Sequence, residues 1–70
     1  MNLYEIAREY WQKTVRIITE SGNSYVGQLI SYTPEEDNEP ESESILISIS
    51  DNIAVELFEH EIQSIAQLDE

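Results

Sequence analysis

The side chains with the most chemical capacity in this 70-residue chain are carboxylates: 15 Asp and Glu stand against three Lys and Arg, one His and no Cys. The single histidine, His60, lies between Glu59 and Glu61. An imidazole so placed can contact a ligand or contribute to a metal site. One His without a second nitrogen or sulfur donor is poor zinc chemistry, however, and the competing reading is a turn residue flanked by two solvated acids. A second acidic group, Glu35, Glu36, Asp37, Glu39, Glu41 and Glu43, offers oxygen donors for calcium. Its spacing is not that of an EF-hand loop, it has no central glycine, and Pro34 and Pro40 fall in the same segment, so it reads as a solvated loop. Nucleophilic catalysis finds no support, with no cysteine, no placeable Ser-His-Asp arrangement and no glycine-rich phosphate loop. Carboxylate pairs are too abundant for any one to be distinctive. The expectation is a protein that is not an enzyme and uses no cofactor and no metal.

The cations are confined to one end. Arg8, Lys13 and Arg16 all precede residue 17, and with Glu5 and Glu9 they leave residues 1–19 at +1, whereas the other 13 acids stand alone in residues 20–70. A field of that sign attracts cationic partners and repels phosphate. Tyr10 and Trp11 are neighbours on a helix, so they point about 100° apart and cannot both be central to one apolar stripe. One should pack on the body while the other sits at its margin. There, beside Arg8, Lys13 and Arg16, an aromatic ring makes the best candidate contact surface. The same face is the one non-acidic patch open to a nucleic acid.

The elements that must position these residues follow from periodicity. A helix over about 2–13 is signalled by Asn2 as cap, Glu5 three residues later, and an apolar stripe of Leu3, Ile6, Ala7, Tyr10 and Trp11. It should stop near Gln12–Thr14. From Val15 the period becomes two, with Val15, Ile17 and Thr19 on one side and an isoleucine, Ile18, on the other, which predicts a strand covered on both faces. The turn Ser21–Ser24 leads to a second strand, Tyr25 to Tyr32, interrupted by Gly27, where a bend, a bulge or a close backbone approach is expected. Residues 34–44 hold six acids, two prolines and no apolar residue, the pattern of an exposed flexible loop. A third strand turns Ile45, Ile47 and Ile49 inward and Ser44, Ser48 and Ser50 outward. Asp51-Asn52 is a hairpin turn, Ile53 to Phe58 a fourth strand, and Ile62 to Leu68 a fifth, with Asp69 and Glu70 frayed.

One helix and five short strands fit a single domain, residues 1–70, with the barrel over about 15–68; hydrophobic residues make up 40% of the chain, enough for one small core. Closing five strands on themselves would remove exposed sheet edges. No apolar run exceeds three residues, so no helical membrane span is expected. The capped amphipathic start is unlike a signal peptide, and a cytoplasmic protein is the default.

The order of elements and three stretches resemble the Sm-like (LSm/Hfq-type) family. Val15 to Gly22 is similar to its first strand and turn glycine. Tyr25 to Tyr32 follows its second-strand pattern of glycine, one residue, an aliphatic, then an aromatic three residues on. Leu57 to Ile65 is similar to the stretch in which an aromatic, a lysine and a histidine precede the last strand. The resemblance spans roughly residues 3–66 and implies a mainly β fold, a helix followed by a strongly bent five-stranded Sm-like/SH3-like small barrel. The departures fall on the positions the family uses for RNA: Thr33 stands where an aspartate is typical, the acidic loop with Asn38 replaces an apolar-Asn pair, and Glu59 takes the lysine position, followed by His60 and Glu61. Carboxylates there oppose the phosphate contacts that supply much of RNA affinity. In charge and architecture, though in no shared motif, the chain also resembles the Rho-binding antiterminators, small acidic Sm-like barrels that bind a protein which itself binds RNA.

The resulting expectation is an acidic, divergent Sm-like interaction module that binds a basic protein, with Tyr10, Trp11, Glu56, Phe58, Glu59, His60 and Glu61 at the contact. Two alternatives stand beside it: an Hfq-like RNA-binding ring using Arg8, Lys13, Arg16 and Asn38, and a structural subunit of a larger assembly. Gly22 and Gly27 are the fold-critical glycines. The resemblance further implies a homo-oligomer through the fourth and fifth strands, with monomer, dimer and ring all open.

Overall fold

Asn2 caps the first element as its type predicts: its Oδ1 accepts the Glu5 N–H at 3.1 Å. The computed structural model describes residues 1–68, so the expected fraying of Asp69 and Glu70 lies outside the described residues. Helix α1 runs Leu3–Glu9 and buries Leu3 and Ala7. It ends about four residues earlier than its apolar stripe predicts. Gln12 adopts a left-handed backbone, φ 63°, which costs a non-glycine residue about 1 kcal/mol. That cost is offset by pairing with the sheet: the Gln12 N–H donates to Leu29 O at 2.9 Å, the Leu29 N–H to Lys13 O at 3.0 Å, and the Gln28 amide to Gln12 O at 2.9 Å. Competition for these backbone groups, not a breaker residue, terminates the helix.

Five antiparallel strands follow: β1 Thr14–Thr19, β2 Ser24–Thr33, β3 Ser44–Ser50, β4 Ile53–Phe58 and β5 Ile62–Gln67, with single 3-10 turns at Glu35–Asp37 and Glu59–Glu61. Their order in the sheet is β4-β3-β2-β1-β5. The sheet is not closed, which corrects the expectation that the strands close on themselves: after β4 the 3-10 turn carries the chain across to the β1 edge, and β4 and β5 remain the two ends. The inward faces supply Val15, Ile17, Leu29, Ile45, Ile47, Leu57 and Ile62, and α1 covers them with Leu3 and Ala7.

The inward set of β1 is the one its alternation predicts, but the strand is not covered on both sides, since Arg16 is exposed and Ile18 only half-buried. In β3 two residues are reversed. Ile49 is 40% exposed rather than inward, because the β3–β4 register shifts between Ser48 and Ser50 and leaves Ile49 as the extra residue. Ser44 is buried rather than outward, because the acidic segment folds over it: Asn38 Nδ2 donates to Ser44 Oγ at 2.8 Å. Gly27 is a close backbone approach, where a Cβ would lie 2.5 Å from Ser48 O. Gly22 serves differently, turning the chain at φ +93° in open space.

Candidate functional site

One cleft is lined by α1 and the distal end of β2, and another by the β1–β2 turn and the Glu59–Glu61 turn. The first is built by helix periodicity. Tyr4 with Arg8, and Ala7 with Trp11, are i, i+4 pairs, so one face of α1 and the turn after it presents Tyr4, Ala7, Arg8 and Trp11 together. The distal end of β2 brings Tyr32 opposite them, and the five residues enclose about 410 Å³. Tyr4 and Tyr32 meet edge to face with centroids 5.7 Å apart, and the Arg8 guanidinium carbon stands 5.9 Å from the Tyr4 centroid. The Tyr32 hydroxyl donates to Glu43 Oε1 at 2.6 Å. This bond is the main reason the phenol is pushed up to about 12; burial and the charges of Glu43 and Glu36 act in the same direction.

Of the adjacent aromatics, Tyr10 packs against the core and Trp11 is 46% exposed at the margin. Tyr4, 51% exposed, joins it in the cleft. Sequence reasoning passed over Tyr4 and Tyr32. The Tyr4–Arg8–Trp11 spacing was a usable signal for the former, whereas Tyr32 depends on how β2 folds back on the helix. Of the three cations Arg8 alone lines this cleft, while Arg16 lies on the outer sheet face opposite Val26 and Ala66.

The second cleft, about 400 Å³, lies between the β1–β2 turn and the Glu59–Glu61 turn. Glu20, Asn23 and Tyr25 line one side, with Leu57, His60 and Glu61 on the other. The His60 ring stacks on Phe58 with centroids 6.0 Å apart, and its Nδ1 is 3.1 Å from Ser42 Oγ. Glu61 accepts the Phe58 N–H at 3.0 Å, closing its own turn. Glu59 and Glu56 do not line this cleft. The Glu59 N–H donates to Glu43 O at 2.8 Å, and Glu56 accepts the Ser44 hydroxyl at 2.8 Å.

The acidic segment is therefore tied to the rest of the fold at several points. Asn38 Nδ2 donates to Ser42 O at 2.9 Å as well as to Ser44 Oγ, which engages the Asn38 amide within the segment. Of the 11 acids described between residues 20 and 68, only Glu43 and Glu59 are half-buried, and the rest are exposed. Among the described residues no group of three or more His, Cys, Asp or Glu is placed to hold a metal ion, and no helix is long and apolar enough to cross a membrane. No family model, curated protein or solved structure matches the chain.

Proposed function

We propose that the protein is a non-enzymatic Sm-like interaction module that binds a basic protein partner through its acidic surface, the partner being one whose cations otherwise meet nucleic-acid phosphate. The observation that carries this reading is an acidic surface without internal counter-charge: the described carboxylates after residue 19 are mostly solvent-facing, and no Lys or Arg follows Arg16. Long-range attraction of a basic surface follows directly from such a field. Glu56 stands on β4, and Glu59 and Glu61 on the turn that follows it, in the same stretch of chain as Phe58 and His60. Direct RNA binding is disfavoured by the same carboxylates, which repel phosphate.

Capture from a cell lysate tests the reading. The wild-type chain is expected to retain a basic protein that is released by salt, and the Glu56→Gln/Glu59→Gln/Glu61→Gln variant to retain much less. Tight binding of a uridine-rich oligonucleotide at physiological salt, lost on changing Arg8, Lys13 and Arg16 to Ala, overturns it in favour of the RNA-binding alternative.

Assembly is a compatible second reading. Both β4 and β5 present unpaired edges, and pairing β4 of one copy with β5 of the next would bury them.

A further inference from the structure

We propose that the cleft between Tyr4, Trp11 and Tyr32 is a receptor for an arginine side chain of the basic partner, and that Arg8 rests on its wall as the resident cation which the incoming one replaces. The proposal builds on the reading of the protein as a binder of basic proteins and assigns that binding a specific pocket.

Three observations converge on a guanidinium. The lining is aromatic and open to solvent, with Tyr4 and Trp11 each about half-exposed, and aromatic faces attract cations through the ring quadrupole. A guanidinium already uses one of those faces, since Arg8 lies 5.9 Å from the Tyr4 centroid. Finally, a carboxylate stands behind the wall opposite the helix: the hydroxyl of Tyr32, which lines the cleft, donates to Glu43 Oε1 at 2.6 Å. A planar cation entering from the partner can stack on Trp11 and approach Glu43, a charge-assisted contact that Arg8 does not make in its present position. Arg8 is exposed, and its guanidinium lies over the Tyr4 ring, so it can swing into water at small cost.

Trp11 is the only tryptophan in the chain, so its fluorescence reports on this cleft directly. The probes are acetyl-Gly-Arg-Gly-amide and its citrulline counterpart, which has nearly the same shape and no charge. The arginine probe is expected to change Trp11 emission saturably and the citrulline probe not to. Arg8→Gln, on an exposed helix position, should tighten the arginine probe by about threefold because a competing cation is gone. Tyr32→Phe, which releases Glu43, should weaken it.

Weaker binding in Arg8→Gln, equal response to both probes, or a stronger response to uridine monophosphate than to the arginine probe overturns the proposal. The two levels separate cleanly. If lysate capture depends on Glu56, Glu59 and Glu61 while Trp11 ignores the arginine probe, the cleft is wrong and the acidic-surface reading stands. If the probe binds as described while lysate capture fails, the cleft stands and the wider reading falls.

Discussion

The Tyr32 hydroxyl and the Glu43 carboxylate, 11 positions apart, are joined by a 2.6 Å hydrogen bond that ties the end of β2 to the acidic segment. Removing the hydroxyl in Tyr32→Phe should cost about 1 kcal/mol, a charge-assisted bond discounted for its partial exposure to solvent. The bond also has a pH signature. Its phenol is raised from 10.0 to about 12 in the folded chain, so the folded state holds the proton more tightly than the unfolded one. The stabilisation is complete below pH 10 and is lost as pH rises towards 12. Wild type minus Tyr32→Phe stability, measured by urea unfolding across that window, should shrink with rising pH.

Gly27 and Gly22 should respond differently to alanine. At Gly27 a Cβ meets the Ser48 carbonyl oxygen at 2.5 Å, so backbone must move. Gly27→Ala is expected to cost about 3 kcal/mol, or to prevent folding. At Gly22 there is open space, and the penalty is only the positive φ, about 1 kcal/mol. Thermal melts of the two variants, read by circular dichroism, check the ranking.

Asn38 holds the acidic segment from within. Asn38→Ala removes its bonds to Ser42 O and Ser44 Oγ and leaves the buried Ser44 with Glu56 alone. A loss of about 1–2 kcal/mol is expected. Hydrogen exchange should accelerate at residues 35–43 while the β1–β2 pairing keeps its protection. Uniform acceleration over the whole chain would show that the segment is not a separate unit.

Salt should stabilise the fold and favour its self-association together. At −12 net charge the chain repels itself, and screening shortens that repulsion from about 10 Å at 0.1 M to about 3 Å at 1 M. The melting temperature is expected to rise with sodium chloride. Any pairing of β4 and β5 edges, with Glu56, Glu59 and Glu61 close by, should shift the solution mass upward over the same range. A mass that falls with salt would mean that charge attraction, not strand pairing, holds copies together.

Much of the architecture was legible because it is local. Asn2 and its stripe announce a helix, Val15, Ile17 and Thr19 announce the inward side of a strand, and Gly22 and Asp51-Asn52 announce turns; each signal depends on residues a few positions apart. The charge distribution was legible for the same reason, since no folding can supply a base after Arg16. The early end of α1 was not, because it depends on Leu29 competing for backbone bonds from 17 residues away. The faces of Ile49 and Ser44 were misread because one was displaced by a register shift and the other covered by a loop, and alternation encodes neither. Most plainly, the open order β4-β3-β2-β1-β5 and the meeting of Tyr4, Trp11 and Tyr32 were beyond any periodicity. By itself the sequence determined the elements and an acidic body with all its bases at one end. Only the tertiary structure decided which strands stay as edges and which aromatics share a cleft, because both are set by pairings between segments far apart in the chain.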